Sequence, residues 1–350
     1  MPSPGRKSAP ALRIAAVLLG AILLAHLVER AGRGTLLQNA KILAWGMVVV
    51  IALAGFGHIV KTWAWRVALR GEAKRISFWR TLGLRLVSEA IGQLGFVGLV
   101  FGESARVSLL ASGVSMASAI SSVAMDRSLF IAAGAVVTIT GICTAAFAFA
   151  FSGVLRIYAG IFVFAVVFLL ALAGLALHKG WPLFSKPAHA VARIPWCRSW
   201  INSKKAVIES SERQFLQFYR QSPHAFWVSV ILNLASHVLA IFEVYLILLF
   251  LGAHVSFVSA LILESLTKLI NVIGAVNPGN LGTYEGGNMV IGKLVGLNGA
   301  QGLTLGLCRR ARAIFWAIVG AFCLAWYSRS NGLVKPDGNA EIVTGVDLCR

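Results

Sequence analysis

Asn277-Pro278-Gly279-Asn280-Leu281-Gly282-Thr283-Tyr284-Glu285-Gly286-Gly287 places helix breakers and a carboxylate in the middle of apolar sequence. A lipid-facing helix tolerates neither. Each unsatisfied amide in hydrocarbon costs several kcal/mol, so interrupted backbone at membrane depth must be buried in protein or line a polar cavity. The stretch reads as half of a binding site. A second stretch answers it: Gly95-Phe96-Val97-Gly98-Leu99-Val100-Phe101-Gly102-Glu103-Ser104-Ala105-Arg106 is also glycine-rich, apolar and ended by a glutamate. In both, an arginine follows the glutamate after 24 residues, Glu103 to Arg127 and Glu285 to Arg309. Paired broken segments at matching positions in two halves point to a transporter-like site between structural repeats. The competing reading is chance recurrence in a chain with 35 glycines.

Around these stretches the 350-residue chain is 58% hydrophobic and only 13% charged, against roughly 25% charged in a soluble domain. The expected fold class is therefore all-α: a polytopic transmembrane helical bundle with broken or re-entrant helices, which the paired stretches would arrange as an inverted repeat. The net charge of +19 does not argue for nucleic acid. The basic residues sit in loops between hydrophobic spans, as the positive-inside bias places them, and anionic lipid is the expected partner. Cys143, Cys197, Cys308, Cys323 and Cys349 show no CxxC pair and no ligand spacing with histidine. Neither a disulfide framework nor a metal site is expected, and no cofactor motif is present. His58 and His237, alone in apolar runs, read as helix-packing residues.

Apolar spans near the ~20 residues that cross a bilayer fall at 11–28, 42–60, 128–151, 155–177, 225–251, 255–276 and 303–327, with an interrupted segment at 76–126. Six to eight crossings result. The basic start at Arg6, Lys7 and Arg13 ahead of the first span suits an uncleaved signal anchor. Lys61, Arg66, Arg70, Lys74, Arg75 and Arg80, with Trp63, Trp65 and Trp79 as interfacial anchors, put the second loop and the N-terminus in the cytoplasm. Residues 1–330 make the membrane domain and 331–350 a polar tail. Within the domain, 178–223 is a basic loop expected in the cytoplasm. There Val207, Ile208, Phe215, Phe218 and Tyr219 recur at helical spacing opposite Lys205, Glu209, Glu212 and Arg213. That pattern suits a helix lying on the membrane surface or a solvated linker helix.

Of 13 acidic residues, Glu89, Glu103, Asp126, Glu243, Glu264 and Glu285 fall inside or beside apolar segments. An ionisable group there costs about 2.5–3.5 kcal/mol on insertion scales and is paired or functional. Arg85, Arg106, Arg127, Lys268, Arg309, Arg310 and Arg312 are the available partners. One reading is a set of ion pairs holding helices together. The other is a cationic cavity for a lipid headgroup, since the arginine fork and helix N-termini suit phosphate. Arg309, Arg310 and Arg312 occupy three sides of one helix turn, and not all can pair with Glu285. Asp126-Arg127 is expected at a helix start, and Glu264 with Lys268, spaced i, i+4, as a structural pair.

The run Gly102-Glu103-Ser104-Ala105-Arg106-Val107-Ser108-Leu109-Leu110, then Ala117-Ser118-Ala119-Ile120-Ser121-Ser122-Val123-Ala124-Met125-Asp126-Arg127, resembles the flippase-like transmembrane region of lysylphosphatidylglycerol synthases. Pro278-Gly279-Asn280-Leu281-Gly282-Thr283-Tyr284-Glu285 and the arginine-bearing last span resemble that family's C-terminal signature. The similarity covers about residues 10–330. It implies a multi-pass inner-membrane protein that moves an amphipathic lipid between leaflets, and carries the family's polar positions onto Glu103, Arg106, Asp126, Arg127 and Glu285. A proline that often opens the first motif is replaced around Gly98. The soluble lysyl-transferring domain of full-length synthases does not follow in this sequence, so lipid aminoacylation is not expected.

The leading expectation is a flippase-like, non-enzymatic transporter of an anionic or phosphate-bearing lipid, polyprenyl-linked lipids included. Its expected substrate-binding residues are Glu103, Arg106, Asp126, Arg127, Gly279, Gly282, Glu285, Arg309 and Arg310. With no GxxxxGK[ST] loop in the sequence, ATP is not the direct energy source. The alternatives are a membrane partner of a lipid-synthesis enzyme, docked through the 178–223 loop, and a lipid-phosphate transferase. The last would need an acidic metal cluster that the carboxylate spacing does not provide.

Overall fold

The computed structural model describes residues 26–29, 32–93, 96–149, 153–182, 185–193, 195–274 and 280–330, and among them every regular element is helical. The helices are α1 (Arg33–Ile42), α2 (Ala44–Leu69), α3 (Phe78–Gly92), α4 (Phe96–Leu110), α5 (Met116–Ala148), α6 (Gly153–Lys179), α7 (Ser185–Val191), α8 (Pro195–Gln221), α9 (Pro223–Phe250), α10 (Phe257–Gly274), α11 (Thr283–Leu294) and α12 (Gly299–Ser330). Most of the expected span at 11–28, residues 277–279 of the decisive stretch, Gly279 among them, and the tail at 331–350 lie outside the described residues.

Local chemistry sets the helix starts. The Ser77 hydroxyl accepts the Arg80 N–H at 3.2 Å to open α3, and Ser115 accepts the Ser118 N–H at 3.1 Å to open α5. Pro223 stands in the first turn of α9. Because Ser115 caps α5, that helix begins a dozen residues before the expected 128, and Asp126 lies inside it rather than at its start. The small-residue run read as an interruption is instead the closely packed first turns of a 33-residue helix. The glycine-rich stretch is not interrupted at Gly98 either, since α4 is continuous from Phe96 and Gly98 sits within it.

The two halves repeat. Shifted by 182 residues, the spacing of Glu103 and Glu285, helices α2 to α5 land on α9 to α12 with starts agreeing within five residues and ends within two. The packing repeats as well: α3 lies on α4 as α10 lies on α11, and α5 crosses to α10 as α12 crosses to α3. Helices α2 and α9 pack on each other at the centre. They run antiparallel, since Gly46 near the start of α2 meets Phe250 at the end of α9, while Ser229 near the start of α9 donates to the Ala64 carbonyl at 3.2 Å. Equivalent helices that run oppositely make an inverted-topology repeat. Helices α3 and α4 have 15 residues each and α10 and α11 have 18 and 12, short of the ~20 that span hydrocarbon. They form the paired short hairpins that the glycine-rich stretches anticipate.

Among the described residues four helices are long and apolar enough to cross a membrane: α2, α5, α6 and α9. Helix α12 is as long, with 32 residues, but carries four arginines. Trp45, Phe147, Phe164, Trp227, Phe322 and Trp326 are largely exposed on the outside, which in a bilayer is the lipid face. The amphipathic segment forms α8, and near its C-terminus Phe215 and Phe218 are buried with Met125, Leu129 and Phe226. Its apolar residues there are spent on the bundle, neither on the membrane surface nor on solvent.

Lipid tails are as apolar as leucine, so helices in a membrane associate through close packing and polar contacts. Gly320 lets α12 lie on α3: a Cβ there would collide with the Leu86 carbonyl oxygen and sit 3.0 Å from the Ala90 Cβ. Gly320→Ala gains about 1 kcal/mol of helix propensity but costs about 1–3 kcal/mol of overpacking against unyielding backbone. The expected result is a lower melting temperature in detergent. Gly174→Ala on α6, where a Cβ meets nothing within 4 Å, should leave it unchanged or raise it.

Candidate functional site

The charged residues assemble into two networks, one per half, meeting at the α2–α9 axis. In the first, Asp126 on α5 is only 1% exposed. Its Oδ2 accepts from Arg106 Nη2 at 2.8 Å and Arg85 Nη1 at 3.2 Å. The Arg106 guanidinium also lies over the Trp65 ring, 3.5 Å from its centroid. Arg85 reaches on to the Lys61 carbonyl at 2.9 Å and to Glu89, one helix turn away, at 3.4 Å. Glu89 takes His58 Nδ1 at 3.2 Å and Lys61 Nζ at 3.6 Å from α2. Glu103 pairs with Arg106 at 3.4 Å and, loosely, with Arg127 at 4.0 Å.

In the second half Arg309 stands between Glu243 on α9, at 3.4 Å, and Glu264 on α10, at 2.8 Å. Glu264 also takes Lys268 at 2.7 Å, so the i, i+4 pair is present but shares its carboxylate across helices. Arg312 pairs with the other oxygen of Glu243. Glu285, wholly buried, pairs with Arg310 and accepts the Gly282 N–H at 2.9 Å, closing the first turn of α11. Gly282 has φ of 73°, a left-handed conformation that suits glycine. Arg310 also donates to the Asn280 carbonyl at 3.2 Å.

Glu285 does not pair with Arg309: one residue along a helix turns the side chain by about 100°, and it is Arg310 that reaches its carboxylate. Nor do the three late arginines form an excess of positive charge, since Arg309 and Arg312 meet Glu243 and Glu264 from helices distant in sequence.

The networks meet in a cavity of about 90 Å³ between α2, α3, α9 and α12, walled by His58, Lys61, Glu89, Gln93, Glu243, Arg312 and Trp316, among others. Of the residues expected from sequence, Glu103, Arg106, Asp126 and Arg127 form one group, Gly282, Glu285 and Arg310 another, and Arg309 joins Glu243 and Glu264. None of them lines this cavity. The residues that do were visible as intramembrane charges, but His58 read as packing and Lys61 as part of a cytoplasmic basic cluster. One signal could have found them: Lys61 and Glu243 are 182 residues apart, the same offset that relates Glu103 to Glu285. The wall is charge-balanced, with Lys61 and Arg312 facing Glu89 and Glu243. Among the described residues no group of histidine, cysteine and acidic side chains is placed to hold a metal ion.

The family model described as lysylphosphatidylglycerol synthase TM region matches residues 13–320. No curated protein and no solved structure matches.

Proposed function

We propose a function from one premise: the chain belongs to the lysylphosphatidylglycerol synthase transmembrane-region family. It is a flippase-like transporter, without enzymatic chemistry, that passes a phosphate-bearing lipid between the leaflets of the inner membrane. The supporting observation is the way the cavity cations are held. Lys61 and Arg312 are neutralised by Glu89 and Glu243, yet each carboxylate has a second cation, Arg85 for Glu89 and Arg309 for Glu243. A phosphate can displace both glutamates from Lys61 and Arg312 without stranding a buried carboxylate, the costly event in low dielectric. The headgroup thus finds charge compensation at the depth where a bare charge costs most.

At about 90 Å³ the cavity is below the ~300 Å³ at which ligand pockets usually begin. Passage of a headgroup requires the α3–α12 and α2–α9 contacts to separate on one side at a time, the rocking of inverted repeats about a fixed site. The test is transbilayer movement of fluorescent anionic, zwitterionic and polyprenyl-phosphate lipids in proteoliposomes, read by chemical quenching of the outer leaflet. Faster movement of phosphate-bearing probes than in protein-free vesicles is the expected result. Equal rates for all probes with and without protein would remove the transporter reading and favour a membrane partner docked through the 178–223 loop.

A further inference from the structure

Beside the polar cavity lies a second concavity of different chemistry. It is about 530 Å³, between α2, α3 and α12, and Phe56, Leu82, Val319 and Cys323 contribute to a nearly wholly apolar wall. It opens to the outside of the bundle, where Phe56 and Trp79 are more than half exposed. Two residues, His58 and Trp316, belong to both walls. Their rings meet edge to face with centroids 4.9 Å apart. The Trp316 indole lies against Gly55, where any Cβ would strike it, and donates to the Ile51 carbonyl at 3.2 Å. His58 turns Nδ1 toward Glu89 on the polar side. A partition made of these two side chains therefore divides a charged chamber from an apolar groove that faces lipid.

We propose that this groove is the lateral portal of the protein: it holds one acyl chain of the lipid whose phosphate lies at Lys61 and Arg312, with His58 and Trp316 at the level where headgroup and chain join. The identity of the headgroup rests on the function proposed above; the groove's occupant follows from the two contiguous chemistries. A soluble ion would use the chamber and leave the groove empty, and a bulk hydrocarbon chain would have no reason to abut buried charge. Only an amphiphile satisfies both sides of the partition at once. The groove is the apolar complement to a polar site.

The experiment uses the full chain in vesicles containing phosphatidylglycerol with a diazirine on one acyl chain, followed by peptide mapping of the photo-adducts. Adducts are expected to concentrate on α2, α3 and α12 around Phe56, Leu82 and Val319. Ala52→Trp, which fills the groove from an exposed position, should reduce them at least about tenfold, the factor that loss of contact with two methylenes corresponds to. Ala171→Trp on α6 should not. Adducts spread evenly over α6 and the other lipid faces, unchanged by Ala52→Trp, would overturn the portal. Labelling is read at equilibrium and needs no transport. Groove adducts without lipid movement keep the portal as a binding site and remove the transport reading; movement unaffected by Ala52→Trp, with an unlabelled groove, removes the portal alone.

Discussion

Asp126→Ala is expected to destabilise the protein by about 3–5 kcal/mol, the cost of stranding a buried charge by deleting its partner. The carboxylate is the common acceptor for Arg85 and Arg106, themselves 6% and 2% exposed. Arg85 retains Glu89 and Arg106 retains Glu103, but both of those contacts are 3.4 Å, longer than the bonds that are lost. Asp126→Asn keeps an acceptor oxygen without the charge and should fall between wild type and alanine. Thermal denaturation followed by size-exclusion chromatography in detergent measures both. A melting temperature within about 2 °C of wild type for Asp126→Ala, less than roughly 1 kcal/mol on the usual scaling, would mean that the network does not hold α3, α4 and α5 together.

Lys61→Met and Arg312→Met are expected to do the opposite, sparing the fold and removing transport. Neither strands a carboxylate, because Glu89 keeps His58 and Arg85 and Glu243 keeps Arg309. Each removes one cation that would meet the headgroup phosphate. Each single variant should slow transbilayer movement at least about tenfold, the equivalent of ~1.4 kcal/mol, with a melting temperature near that of wild type. Wild-type rates in both variants at normal folding would show that the chamber is not the path. The contrast with Asp126 separates the charges that build the bundle from those that face its cavity.

That separation marks the limit of what could be read from residue order. The carboxylates and arginines in apolar sequence were legible as a class, because each is expensive in hydrocarbon and so conspicuous. Their partners were not. Spacing along the chain singled out Arg309 at the late basic position, whereas the helix rotation at α12 gives Glu285 to Arg310 and turns Arg309 toward Glu243 and Glu264. Arg127, carried over by resemblance, stands about a third exposed at 4.0 Å from Glu103; Lys61, placed in a basic loop, continues α2 into the centre.

By itself the sequence determined the all-helical membrane class, the family and the two glycine-rich segments whose spacing announces a repeat. These depend on composition and local backbone rules, which act over a few residues. Only the tertiary structure decided which charges share a carboxylate and that a polar chamber and an apolar groove are divided by His58 and Trp316. Those facts arise where separate helices cross, Asp126 meeting Arg106 from 20 residues away and His58 meeting Trp316 from 258 away, and the side of a helix that a residue presents there is set by packing against its neighbours.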